Sequence, residues 1–122
     1  MAKVQDWHGN IIEDLEMIRK FTYGRVGKGW HSLLDEIFAA LPEEATVIQV
    51  KEKFGGLRFY VSVNESEEAL EVIRIAEAKS YRICEVCGKP GECKASNHWL
   101  QTLCPTHREE VDAGKRKWEY ER

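Results

Sequence analysis

The stretch Ile83–His107, ICEVCGKPGECKASNHWLQTLCPTH, contains two ligand pairs, Cys84-x-x-Cys87 and Cys104-x-x-His107, with sixteen residues between them. This is the arithmetic of a structural zinc site. Zinc takes four sulfur or nitrogen donors in a tetrahedron, and a C-x2-C turn presents two thiolates from one tight knuckle. Gly88 relieves the backbone just after the second thiolate, where main-chain amides turn toward the sulfurs. Between the pairs, His98, Leu100 and Thr102 alternate with Trp99, Gln101 and Leu103, the pattern of one arm of a short hairpin. Cys104 then opens a helix, with Pro105 at the favoured first helical position and His107 one turn on, on the same side. Knuckle, hairpin and helix together make a treble-clef or zinc-ribbon-like module. All four positions are filled by protein, so the zinc is expected to be structural; a catalytic ion keeps one position for water. Cys93 and His98 are spare candidates, read as a partly buried thiol and a packed or solvated imidazole.

Upstream, residues 45–63, ATVIQVKEKFGGLRFYVSV, carry the clearest strand signal. Leu57, Phe59, Val61 and Val63 alternate with Arg58, Tyr60 and Ser62, and Gly55-Gly56 has the composition of a two-residue hairpin turn. That turn pairs Phe54 with Leu57, Lys53 with Arg58 and Lys51 with Tyr60. One face then carries Ile48, Val50, Phe54, Leu57, Phe59, Val61 and Val63. The other carries Gln49, Lys51, Lys53, Arg58, Tyr60 and Ser62. Glu52 falls on the apolar face, a misfit that a shifted turn or a bulge would cure. A one-residue slip would invert one strand's faces.

Helices are expected on both sides of this hairpin. Ile11, Ile12, Leu15, Ile18 and Phe21 recur at helical spacing after Asn10, with Glu13 as the reciprocal partner in a capping box, and Gly24 ends the run. Met1–Gly9 shows no periodicity. Trp30, Leu33, Leu34, Ile37, Phe38 and Leu41 line one face of a second helix that Pro42 terminates. Asn64 with Glu67 suggests a third helix over about residues 65–81, burying Ala69, Val72, Ile73, Ala76 and Ser80. The tail from Val111 to Arg122 reads as the end of the last helix, docked by Trp118 and Tyr120. The fold class is therefore α+β: a helix–helix–hairpin–helix region over residues 1–82, and a zinc-binding module over 83–122 packed against it without a flexible linker.

Hydrophobic residues make up 43% of the 122, enough to build a core, and the formal net charge is -3, which argues against a general polyanion binder driven by counterion release. No leader pattern and no bilayer-spanning apolar run is apparent, so no membrane role and a cytoplasmic location are expected. Four cysteines in that compartment favour metal over disulfides. The loop GRVGKG, residues 24–29, lacks the phosphate-loop order. His31 and Asp35 lie at i and i+4, close enough to pair, but no nucleophile accompanies them. No enzyme is expected. The candidate binding surface is the hairpin face of Lys51, Lys53, Arg58 and Tyr60, three cations and a stacking ring.

The segments KEKFGGLRFYV (51–61), SYRICEVCGKPGE (80–92) and WLQTLCPTHRE (99–109) together resemble a family of small uncharacterised bacterial and phage proteins. Its members have a Gly-Trp-led helix, a KEKFGxLRFY hairpin, a helix, and a C-x2-C…C-x2-H module; the resemblance covers about residues 29–107. It implies a bacterial or phage accessory protein, in the host cytoplasm if phage-encoded. A protein partner, bound as inhibitor or adaptor, fits the acidic net charge; nucleic acid or a small nucleotide on the basic hairpin face is the alternative.

Overall fold

A computed structural model describes residues 2–62, 66–96 and 98–114. Along the chain run β1 (Lys3–Gln5), β2 (Ile11–Ile12), α1 (Leu15–Thr22), α2 (His31–Ala40), β3 (Thr46–Lys53), β4 (Gly56–Ser62), α3 (Glu67–Ser80), β5 (Glu92–Ser96), β6 (Trp99–Leu103) and α4 (Pro105–Asp112). Short 3-10 turns at Tyr23–Arg25 and Lys28–Trp30 link α1 to α2. The α+β class holds, but the sheet is larger than a hairpin. It has four strands in the order β2-β1-β3-β4, with β1 parallel to β3 and the other pairs antiparallel.

The N-terminal segment is where expectation and structure part. Ile11 and Ile12 form a strand, not the start of a helix, and Lys3–Gln5 joins the sheet. The cause is the turn between them. The Asp6 carboxylate accepts from the N–H groups of His8 and Asn10, at 2.9 and 2.8 Å, and folds the chain back on itself. Those bonds hold the Asp6 carboxyl below the usual carboxylate range, the Asn10 N–H contributing most. Asp14, not Asn10, then caps the helix by accepting from the Met17 N–H. Of the expected apolar stripe, only Ile18 is fully buried, while Leu15 lies exposed.

The β3–β4 hairpin turns one residue earlier than expected, which moves each cross-strand partner by two residues. Its turn is Phe54-Gly55, both with positive φ as a type I′ turn requires, so Lys53 pairs with Gly56, Glu52 with Leu57 and Lys51 with Arg58. A bulge at Ile48 restores the alternation further along, so that Val47 and Val50 both face inward while Ile48 turns out. Glu52 remains on the apolar face and earns its place by accepting from the Gly55 N–H at 2.9 Å, closing the turn. Phe54 is exposed, not buried.

The inward face of the sheet, Val4, Val47, Val50, Leu57 and Phe59, shares one core with Ile18, Trp30, Leu33, Leu34, Ile37, Phe38, Leu41, Ala69, Ile73 and Ala76. The α2 stripe is buried as its periodicity predicts. α3 also covers the outer edge of β4: the Leu57 N–H donates to Ser80 Oγ and the Phe59 N–H to Glu77 Oε2, both at 2.9 Å. Polar side chains thus satisfy an edge that would otherwise be open to pairing. Ser66 caps this helix; Asn64, the expected cap, lies outside the described residues, as do Val63 and the tail aromatics Trp118 and Tyr120.

The segment after α3 is tied to this core by main-chain contacts. The Trp30 indole N–H donates to Ile83 O at 2.9 Å, and the Gly29 N–H to Glu85 O at 3.0 Å. Thr102 Oγ1 donates to Gly55 O at 2.7 Å, so the tip of the β3–β4 hairpin rests on the β5–β6 hairpin. Both glycines of that tip are needed for space: a Cβ on Gly55 would sit 2.6 Å from Cys93 Sγ, and one on Gly56 2.2 Å from the Tyr81 ring.

Candidate metal centre

Cys84 and Cys87 sit on a knuckle that Gly88 closes, with φ +85° and its N–H donating to Cys84 O at 2.9 Å. The Cys84 N–H donates to Lys89 O at 2.7 Å, which folds the chain back toward β5. At the far end of the β5–β6 hairpin, Cys104 is the N-cap of α4, Pro105 is its first helical residue, and His107 lies in its first turn. The four side chains converge. His107 Nδ1 lies 3.5 Å from Cys84 Sγ and 3.2 Å from Cys104 Sγ, and Cys87 Sγ lies 3.7 Å from Cys104 Sγ. All four donor atoms lie within 4.8 Å of one another.

These separations suit a shared ion. Around a tetrahedral centre with bonds of about 2.3 Å to sulfur and about 2.05 Å to nitrogen, sulfurs stand ~3.8 Å apart and sulfur and nitrogen ~3.6 Å. None of the four cysteines is in a disulfide. The surroundings act in opposite directions on the two buried thiols. Burial pushes the Cys84 thiol up, against the lowering effect of the N–H groups of Cys104, Cys87 and Val86. At Cys104 burial acts the same way, but the His107 N–H, the Cys87 and Cys84 thiols and the Thr106 N–H outweigh it and bring the group below its ordinary value. His107 Nδ1 faces the sulfurs of Cys84 and Cys104, while its Nε2 lies 3.7 Å from Glu110 Oε2. Together these four residues form a cluster that could hold a metal ion.

Cys93 and His98 are not part of the centre. Cys93 points at Phe54 O, 3.7 Å away, and His98 is exposed with positive φ at the tip of the β5–β6 hairpin. Nor do His31 and Asp35 pair with each other. Asp35 accepts from the Tyr23 hydroxyl at 2.6 Å, and His31 Nε2 bonds Tyr23 O at 2.7 Å. Both side chains brace Tyr23, whose hydroxyl is driven to a higher pKa by burial and by Asp35.

Arg108, one residue after the last ligand, has no sequence signature yet organises the module. Its Nη1 donates to Lys94 O and Ser96 Oγ, and its Nη2 to Glu92 O and Gln101 O, at 2.5–3.0 Å. One planar fork therefore clamps both strands of the hairpin to α4. Arg108→Lys keeps the charge but cannot span these acceptors. It is expected to cost about 2 kcal/mol in urea denaturation, since buried carbonyls lose their donor. An unchanged denaturation midpoint would mean that the clamp adds nothing.

The four candidate binding residues do share a face. Lys51 opposes Arg58 and Gln49 opposes Tyr60 across the ladder. Each cation lies by a ring: Lys51 Nζ is 5.6 Å from the Tyr60 centroid, Lys53 Nζ 5.5 Å from Phe54, and the Arg58 guanidinium 5.9 Å from Tyr81. A second aromatic group, of Trp7 and Phe21, lies at the other edge of β3. Trp7 meets Phe21 edge-on at 6.2 Å, and Arg25 lies 4.4 Å over the Trp7 ring. No helix among the described residues is long and apolar enough to cross a membrane. No protein-family model matches the chain, and no curated protein or solved structure is significantly similar to it.

Proposed function

We propose that the ion is zinc, held structurally by Cys84, Cys87, Cys104 and His107 in a treble-clef module, and that the chain is a non-enzymatic accessory protein of bacterial or phage origin. It acts in the cytoplasm by binding another protein, as an inhibitor or adaptor. Three thiolates and an imidazole at tetrahedral separations favour zinc over hard cations, which prefer oxygen. A reducing compartment suits thiolate ligands.

The observation that carries the binding reading is the face of Lys51, Lys53, Arg58 and Tyr60. None of its three cations forms an ion pair with a carboxylate of the described residues, in a chain whose net charge is -3. Stability does not require such a concentration of unpaired positive charge on one sheet face, whereas an acidic partner surface does.

The test is capture from a bacterial lysate with the tagged chain, followed by affinity measurement on the protein recovered. Lys53 is the cleaner probe, because it is exposed, whereas Arg58 also packs on Tyr81 and donates to Leu57 O. The Lys51→Ala/Lys53→Ala double variant is expected to bind the captured protein roughly tenfold more weakly, more so at low salt, with an unchanged melting temperature. Undiminished binding by the double variant would leave the face as a solvated surface. A 260 nm absorbance excess that high salt removes would favour nucleic acid as the partner.

A further inference from the structure

α4 stops at Asp112, and Gly114, with φ +73° and its N–H donating to Val111 O, turns the chain off the helix axis. Beside that turn, between α4 and β5, lies a groove of about 910 Å³. Pro90, Leu103, Pro105 and Ala113 give it apolar walls. A void of ~150 Å³ holds a benzene ring, so this one has room for more than one large side chain.

The charges along the groove are unequal. Glu92, Glu109 and Asp112 are exposed on it. Glu92 stands 3.9 Å from Lys94 Nζ, while neither Glu109 nor Asp112 has a cationic partner among the described residues. Arg108, the other cation of the lining, is buried and directs its Nη donors to the β5–β6 hairpin. Apolar walls beside two unpaired carboxylates suit an occupant that is both cationic and aromatic.

A sequence of that kind follows Gly114 directly. Residues 115–122 read Lys-Arg-Lys-Trp-Glu-Tyr-Glu-Arg, with three cations in a row before Trp118. The eight residues of α4 make a helix about 12 Å long at ~1.5 Å per residue. The stretch from Lys115 to Trp118 spans about 13 Å when extended. Turned back at Gly114, it would reach from the end of α4 to Pro105 at its start, passing Asp112 and Glu109 on the way.

We propose that residues 115–122 fold back along α4 and close this groove within the same chain, with the Trp118 ring seated against Pro105 and Leu103 and residues 115–117 beside Asp112 and Glu109. The segment then straps α4, which carries Cys104 and His107, to β5. This does not depend on the basic face of the β3–β4 hairpin or on its partner. Tethering favours this occupant: a segment attached beside its seat acts at an effective concentration on the order of millimolar, which a separate chain has to exceed.

The test is fluorine NMR on the full chain with 5-fluorotryptophan at its four tryptophans, Trp118→Phe assigning the Trp118 signal. A neutral gadolinium chelate in solution broadens the signals of accessible rings. Trp118 is expected to broaden several-fold less than Trp7, which is exposed, and to show Overhauser contacts to Pro105 and Leu103. The triple variant Lys115→Glu/Arg116→Glu/Lys117→Glu should release the ring, raising its broadening to that of Trp7, and it alters none of the described residues. Adding Glu109→Lys and Asp112→Lys to the triple variant should restore the shielding, since both sides of the contact are then reversed. A parent Trp118 as accessible as Trp7 would overturn the proposal. So would shielding that the triple variant leaves unchanged, or Overhauser contacts found only between differently labelled copies, which would make a second chain the occupant.

Discussion

Cys87→Ser is expected to lower the melting temperature by on the order of 10 °C, corresponding to a loss of at least about 3 kcal/mol. Cys87 is the informative ligand because it is exposed. Serine there removes no core packing, so lost stability has to come through the ion. Metal-binding free energy in a small module is folding free energy, since the unfolded chain does not hold the four donors together. The loss should be local: amides from Ile83 to Gly114 should exchange faster, while those of α2 and β3 keep more of their protection. A strong chelator should reproduce the effect in the parent protein and add little to the variant. A variant that melts with the parent, or a parent indifferent to chelator, would show that the centre does not hold the module together.

Gly29→Ala is expected to be as damaging, at about 3–5 kcal/mol, although Gly29 lies more than fifty residues before the first ligand. A Cβ at Gly29 would stand 1.9 Å from Cys84 O, 2.6 Å from Gly88 N and 2.8 Å from the Glu85 carbonyl carbon. All three are main-chain atoms of the knuckle, so no side-chain rotation relieves the clash. The knuckle has to withdraw, breaking the Gly29 N–H bond to Glu85 O and the Trp30 indole bond to Ile83 O. That withdrawal also displaces two ligands, so zinc affinity measured by competition with a chromophoric chelator should fall with stability. Gly24→Ala is the control: a Cβ there meets nothing within 4 Å, and a near-neutral effect is expected. A Gly29→Ala protein with parental stability and zinc affinity would contradict the close packing of knuckle on helix.

The convergence of Cys84, Cys87, Cys104 and His107 was legible because their spacing is itself a geometric statement. The α2 stripe was legible for a similar reason, since Leu33, Leu34, Ile37 and Phe38 repeat at the period of the helix they bury. The hairpin faces survived a register error: the turn moved back one residue and each partner by two, and an even shift keeps Lys51, Lys53, Arg58 and Tyr60 on one face. Ile48 was misassigned because a bulge leaves no mark in an alternation pattern.

The N-terminal strands were not legible. Ile11, Ile12, Leu15 and Ile18 satisfy a helical period, and only the Asp6 turn, a side-chain hydrogen-bond arrangement, decides that the first two pair with β1. Strands of three and two residues carry no periodicity of their own and form because β3 supplies a template. Arg108 and the Trp7–Phe21–Arg25 group were missed for another reason. Their roles depend on which distant carbonyls or rings the fold brings near, and nothing adjacent in sequence encodes that. The same holds for Gly29, whose lack of a side chain matters only once the knuckle is packed against it.

The most direct test of the zinc centre is X-ray absorption at the zinc edge on protein purified without chelator, with metal content measured on the same sample. One zinc per chain, surrounded by three sulfurs at about 2.3 Å and one nitrogen at about 2.0–2.1 Å, is expected. Absence of stoichiometric zinc, a shell of four sulfurs that brings in Cys93, or an oxygen in the first shell would contradict a closed structural centre built from Cys84, Cys87, Cys104 and His107.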